Sequence, residues 1–202
     1  MFLRKIIVGE LQTNCYIVAD ENSKEALIID PGAEIEKILQ VIEKNHLKPR
    51  YIVCTHGHPD HSGEVKKLSE KINAPVYIHE KDAVMLNHPI ASALGLEAPA
   101  SIQFLADGQE IKLGELNFRV LYTPGHSKGG ISLYSNKILF SGDTLFAGSI
   151  GRMDLPGGSQ SDLVHSLKKL LSFSADTKVY PGHGPETSIG DEKKSNPFIE
   201  GI

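Results

Sequence analysis

The heptapeptide THGHPDH, Thr55 to His61, decides the reading of this chain. It places four metal-competent side chains, His56, His58, Asp60 and His61, within six positions. Gly57 and Pro59 separate them, so the stretch reads as a bent turn and not a helix. It follows YIVCT (Tyr51–Thr55), a short apolar run of the kind that forms a buried strand. A turn has no packing reason to gather three imidazoles and a carboxylate, and metal ligation supplies one.

The same grammar recurs downstream. FRVLYT leads to Pro124-Gly125-His126, KILFSG leads to Asp143, and TKVY leads to Pro181-Gly182-His183. In each case an apolar strand ends, Gly or Pro bends the chain, and a metal-competent residue follows. Ligands of α/β folds gather beyond the carboxyl ends of strands, so seven candidates at four strand ends fit one site. Five histidines and two aspartates are too many for one ion, which takes about three protein ligands and a water, and suit two. Imidazole with carboxylate suits zinc first, and also iron or manganese.

The other histidines read as ordinary. His46 sits near a helix C-terminus, His165 on a helix facing solvent, and His79 and His88 in or near loops, with a place at the border of the pocket as their lesser reading. Asp30, closing the strand signal ALIID before Pro31-Gly32, reads as a carboxylate that orients neighbours rather than a ligand.

Composition bounds the rest. The chain has 202 residues, 40% hydrophobic and 23% charged, as in an ordinary folded domain. A net charge of −4, from 21 basic and 25 acidic residues, argues against a nucleic-acid backbone as the main partner. Cys15 and Cys54 lie in apolar runs without a spaced motif, which reads as two small buried hydrophobes in a reducing cytoplasm. No apolar run at the start is long enough for a signal peptide or membrane span. With no linker, residues 1–202 read as one domain.

Strand and helix signals alternate. Lys5–Val8, Cys15–Ala19, Ala26–Asp30 and Pro75–Ile78 read as strands, as does Thr177–Tyr180. Helical spacing marks Ile35 to Ile42, Val65 to Ile72, Lys81–Asn87 and Leu163 to Leu171. Phe118, Val120 and Tyr122 alternate along one strand of a hairpin, and Ile131–Phe140 forms another. Residues 88–104 read as an ordered loop and 144–158 as a glycine-rich loop. Hairpins mixed with strand–helix–strand units predict mixed sheets covered by helices.

The segments TNCYIV, LIIDPG, THGHPDHSGE, TPGHSKGG, FSGDTLF and YPGHGPETSIG, in that order, resemble the metallo-β-lactamase-fold hydrolases over nearly the whole chain. The resemblance implies an α/β fold of the αββα type, a four-layer sandwich of two mixed sheets with helices on the outer faces and metals at one edge. It implies a first metal held by His56, His58 and His126. A second would be held by Asp60, His61 and His183, and Asp143 would bridge the two opposite a hydroxide. Asp60 and Asp143 are thus the implied catalytic carboxylates. Aspartate at 143 matches the glyoxalase II-like thioesterases better than the β-lactamases, whose patterns typically have cysteine or serine there.

The resemblance therefore implies a dinuclear thioesterase acting on a small hydroxyacyl-thiol such as S-lactoylglutathione, with no nucleic acid or membrane partner; it sets no oligomeric state. Two departures bear on the thiol carrier. Residues 184–202 are all that follow His183, so the helical extension of full-length glyoxalase II is not expected. Pro185 replaces a family tyrosine, and Arg152-Met153-Asp154 stands at the family's Lys-x-Tyr element. Arg152 has the fork geometry to receive a substrate carboxylate, or pairs with Asp154 on the surface. The run Gly151–Asp154 also resembles the persulfide dioxygenases, which would hold one iron on His56, His58 or His126 and Asp143. A nuclease of the same fold and a closed, non-catalytic metal module are the remaining readings.

Overall fold

Burial differs between strands according to what covers them, and that difference sets out the layers. The computed structural model describes residues 1–86, 98–99 and 101–202. Strands β1 (Phe2–Val8), β2 (Thr13–Ala19), β3 (Glu25–Ile29), β4 (Lys48–Val53), β5 (Val76–Ile78) and β6 (Ile102–Phe104) form one sheet in that order. The first three are antiparallel and the rest parallel. β7 (Glu110–Leu113), β8 (Leu116–Tyr122), β9 (Ile131–Ser135), β10 (Ile138–Gly142), β13 (Lys178–Pro181) and β14 (Thr187–Ser188) form the second, in which only β10 and β13 run parallel. β2 is buried along its whole length, because both faces of its sheet are covered.

Three apolar clusters correspond to the three interfaces of a four-layer sandwich. Tyr16, Val18, Leu27 and Val53 of the first sheet meet Phe118, Val120, Leu133 and Phe140 of the second. On the outer face of the first sheet pack α1 (Ile35–Lys44), α3 (Val65–Ile72) and α4 (Glu80–Leu86), through Ile38, Leu68 and Leu86 among others. On the outer face of the second pack α5 (Gln160–Leu171) and α6 (Ile189–Ser195), through Leu163, Leu167, Leu170 and Ile189. The αββα arrangement with two mixed sheets is thus the one the sequence predicts.

The helix ends follow local chemistry. Ser159 and Ser188 cap α5 and α6 by accepting from the amides of Asp162 and Asp191. Asn73 closes α3 in the left-handed conformation (φ +51°) that asparagine tolerates. Among the described residues, no helix is long and apolar enough to cross a membrane. Cys15 and Cys54 are buried free thiols.

Four sequence expectations change. The second half of the opening heptapeptide is helical: α2 (Pro59–Ser62) is a single turn with Pro59 in its first position, where a missing N–H leaves no bond unmade. Within the stretch read as a loop over 88–104, Ile102–Phe104 pairs in parallel with β5; residues 87–97 and 100, with His88 and the end of the fourth helix, lie outside the described residues. The glycine-rich stretch holds a two-residue ladder, β11 (Leu145–Phe146) against β12 (Ser149–Ile150). The helix Ile189–Ser195 was not visible in the sequence because its seven residues, about two turns, give too little period to read.

Candidate metal centre

Each candidate ligand follows a strand whose carboxyl end points to one edge of the sandwich. β4 delivers His56, His58, Asp60 and His61; β8 delivers His126; β10 delivers Asp143; β13 delivers His183. The side chains converge. His58 Nδ1 lies 2.9 Å from His126 Nε2, and His61 Nε2 lies 3.2 Å from His183 Nε2. Asp60 Oδ2 is 3.3 Å from both His61 Nε2 and His183 Nε2. Asp143 spans the two groups: Oδ1 is 3.4 Å from His61 Nε2, and Oδ2 is 3.5 Å from His126 Nε2 and 3.6 Å from His183 Nε2.

Three overlapping sets therefore have the spacing of metal ligands: His56 with His58 and His126; Asp60 with His61 and His183; and His56 with His61 and Asp143.

The imidazoles are aimed from behind. His126 Nδ1 pairs with the carbonyl of Arg152 at 2.8 Å, and His183 Nδ1 with that of Leu11 at 3.1 Å. His61 Nδ1 pairs with Asp30 Oδ2 at 3.0 Å. A carbonyl or carboxylate can only accept, so each Nδ1 carries the proton and each Nε2 faces the centre with its partner site free for a cation. Asp30 is the hub of this support. It is 1% exposed, and besides His61 it accepts from the amide of Thr55 at 2.6 Å and the Thr55 hydroxyl at 2.7 Å. That hydroxyl also lies 3.1 Å from His56 Nδ1. Asp30 occupies the left-handed region (φ +54°), which aspartate tolerates better than most residues.

Electrostatics point the same way. Burial, reinforced by His61 and His126, holds the His56 imidazole well below its usual range, so it is neutral and able to donate a lone pair. At His61, burial opposes charge, but the carboxylates of Asp143 and Asp30 outweigh it and lift the imidazole well above its usual range. The hydrogen bond with Asp60 likewise raises His183. Burial pushes the Asp60 carboxyl up, yet its bonds with His183 and His61 hold it far below the usual carboxylate range. The side of the cluster bearing His61 and His183, whose carboxylates draw protons onto the imidazoles, is one that attracts cations.

Among the described residues three buried side-chain atoms have no hydrogen-bond partner, Ser127 Oγ, His56 Nε2 and Asp143 Oδ1, and the last two belong to the ligand sets. Such orphans are costly unless something completes them, and a metal ion does so. Backbone space is arranged around the same point: a Cβ on Gly182 would stand 2.2 Å from Asp143 Oδ1 and 2.7 Å from His61 Cε1. Donor set, orphaned atoms and cradle together fit bound metal.

Three supporting residues escaped the sequence reading. Thr13 donates its hydroxyl to Asp60 Oδ2 at 3.0 Å. Thr55 carries the Asp30 link to His56. Asp82, on α4 and 1% exposed, accepts from the amides of Gly57 (3.1 Å) and Gly129 (2.5 Å), tying the His56–His58 turn to the turn after His126. Nothing in EKDAVML marked Asp82, which looks like one more charge on a solvated helix. Arg152 and Asp154 pair with each other, Nε to Oδ1 at 2.7 Å and Nη2 to Oδ2 at 2.6 Å, on the surface. His79 is buried and stacked on Tyr122 at 4.5 Å, whereas His46 and His165 are exposed.

Two mixed sheets, helices outside and a ligand cluster at one edge define the class of the αββα metallo-proteins. The chain belongs to the metallo-beta-lactamase superfamily, whose model matches residues 8–183. It is 37% identical to hydroxyacylglutathione hydrolase GloC of Haemophilus influenzae, over 98% of both chains. Among solved structures it is similar to the BLEG-1 B3 metallo-beta-lactamase (38% identity, TM-score 0.91, covering 99% of this chain and 100% of that one). It is also similar to TTHA1623 in a di-iron-bound form (41% identity, TM-score 0.85, covering 96% and 99%).

Proposed function

We propose that the chain is a dinuclear metal-dependent hydrolase of small-molecule thioesters. The observation that carries this reading is the pair of ligand clusters joined by Asp143. His56, His58 and His126 would hold one ion, and Asp60, His61 and His183 the other, with Asp143 between. When bound, the ions acidify water to near-neutral pKa and polarise the carbonyl under attack. Zinc is the first candidate on donor type, with iron or manganese next; the likeness to a di-iron structure supports keeping iron in view.

The chain's own residues orient the chemistry. Thr13 and the two facing imidazoles keep Asp60 ionised with Oδ2 turned inward. Arg152, Leu11 and Asp30 fix three imidazole planes from the rear. In the reaction, the carbonyl carbon gains an oxygen from water, the C–S bond breaks, and the protons of water end on the thiol and the acid. A thiolate, whose conjugate acid has a pKa of about 8.5, leaves without a proton donor, whereas an amine needs one. That contrast and the likeness to GloC support thioesters over amides.

A single-iron reading would leave His61 and His183 without a metal. The Asp60–His61–His183 set brings its ligand atoms within the same 4.8 Å as the first, which supports two ions. The likeness to BLEG-1 makes β-lactam ring opening the second reading to assay.

The test is metal content of the purified protein, coupled to thiol release from several acyl-thioesters, S-lactoylglutathione among them, and to ring opening of a chromogenic β-lactam. Two equivalents of metal with thiol release are expected. A fully loaded protein that frees no thiol from any thioester would sink the thioesterase reading.

Asp82→Ala supplies a separate check on the support of the first ion. It leaves the Gly57 and Gly129 amides without their acceptor and loosens the turns bearing His58 and His126. Chelator competition should show one of two metal equivalents weakened roughly tenfold, in the range typical of lost outer-shell partners. Equal retention of both equivalents would contradict the role.

A further inference from the structure

A cavity of about 440 Å³ adjoins the centre, with His58 in its lining. Val84, Met85, Leu155 and Pro156 give it apolar walls, and two lysines, Lys81 and Lys128, line it as well. Val84 is 67% exposed.

The cations are not equivalent. Lys81 Nζ donates to the Tyr122 hydroxyl at 2.9 Å, and the carboxylates of Glu80 and Asp162 share its field. The Tyr122 hydroxyl in turn donates to the Lys128 carbonyl at 2.7 Å, pinning that loop. The stem of Lys128 runs past Gly157, where a Cβ would stand 3.4 Å from its Cγ. Its ammonium pairs with no carboxylate among the described residues. Asp82 also lines the cavity, but it is buried with both oxygens held by backbone amides. Arg152, the cation that the sequence singles out, is neutralised by Asp154. Lys128 is thus the cation beside the centre whose charge is left to meet a ligand.

We propose that this cavity receives an apolar segment of the substrate that ends in a carboxylate, and that Lys128 binds that carboxylate. The inference rests on the thioesterase reading of the adjoining site and names the class of thioester it takes. Apolar walls favour a hydrocarbon segment over a polar one, and an exposed ammonium with no carboxylate partner among the described residues favours a terminal anion.

The metal-loaded protein tests it with two thioesters of one neutral thiol, hexanoyl and 5-carboxypentanoyl, which differ only in the terminal carboxylate. The carboxylated compound should have the higher kcat/KM by about tenfold, mostly through KM. In Lys128→Gln that ratio should fall towards one; in Lys81→Gln it should fall less. Equal use of the two thioesters by the unaltered protein, or an unchanged ratio in Lys128→Gln, would overturn the proposal.

Should neither compound be cleaved, the cavity is read by calorimetric binding of adipate and hexanoate, while the thioesterase reading stands or falls on the wider thioester panel. Both acids can place one carboxylate on the metals, so tighter adipate binding that Lys128→Gln abolishes sustains the cavity assignment. Equal binding of the two acids overturns it.

Discussion

Replacing Asp143 with alanine should remove metal from the purified protein and lower thiol release by more than about a hundredfold. Loss of a partner one shell away from a metal typically costs ten- to a hundredfold, and Asp143 faces both ligand groups directly. Without it, five imidazoles and Asp60 would have to hold two cations with one carboxylate fewer between them, in a low-dielectric pocket where each charge counts more. Elemental analysis with a thiol-release assay checks this. Unchanged metal content and turnover would remove Asp143 from the centre. Asp143→Asn should do little better, because its amide presents a donor towards atoms that want an acceptor or a cation.

The second large effect is expected at Asp30, on stability as well as on metal. Asp30→Ala strands three buried donors: the Thr55 amide, the Thr55 hydroxyl and His61 Nδ1. Removing one partner of such a network costs about 3–5 kcal/mol, and equilibrium denaturation should show a loss of that order. Metal affinity at the second set should fall too, since His61 loses the acceptor that fixes its ring. Asp30→Asn separates charge from shape. Asparagine keeps the left-handed backbone but offers one acceptor oxygen to three donors, so it should recover only part of the loss. Full recovery would show that the carboxylate's charge is not needed.

How much of this was legible in the sequence varies with the physics of each residue. The seven metal-competent residues were legible because their type is unusual at strand ends and their spacing repeats. Thr13 and Thr55 were not, since a threonine in a strand is ordinary until a carboxylate is seen against its hydroxyl. Asp82 stood hidden among the charges of α4; its partners, Gly57 and Gly129, are respectively 25 and 47 residues away. The reading of THGHPDH as wholly non-helical failed because Pro59 was taken for a breaker, when a first-turn proline starts a helix. Arg152 read equally as a binder of carboxylate or as a partner of Asp154, and in the folded loop its fork pairs with Asp154.

The sequence by itself determined mixed sheets covered by helices and the ligand types, because burial periodicity and strand-end turns are local properties of the chain, and the resemblance of its motifs implied the four-layer order. Only the tertiary structure decided which atoms meet. It set Asp143 between the two histidine groups, with Oδ1 towards His61 and Oδ2 towards both His126 and His183, turned three Nδ1 atoms outward onto Arg152, Leu11 and Asp30, and left the Lys128 ammonium with no carboxylate partner among the described residues. Those outcomes depend on distances between residues up to 172 positions apart, which no local pattern encodes.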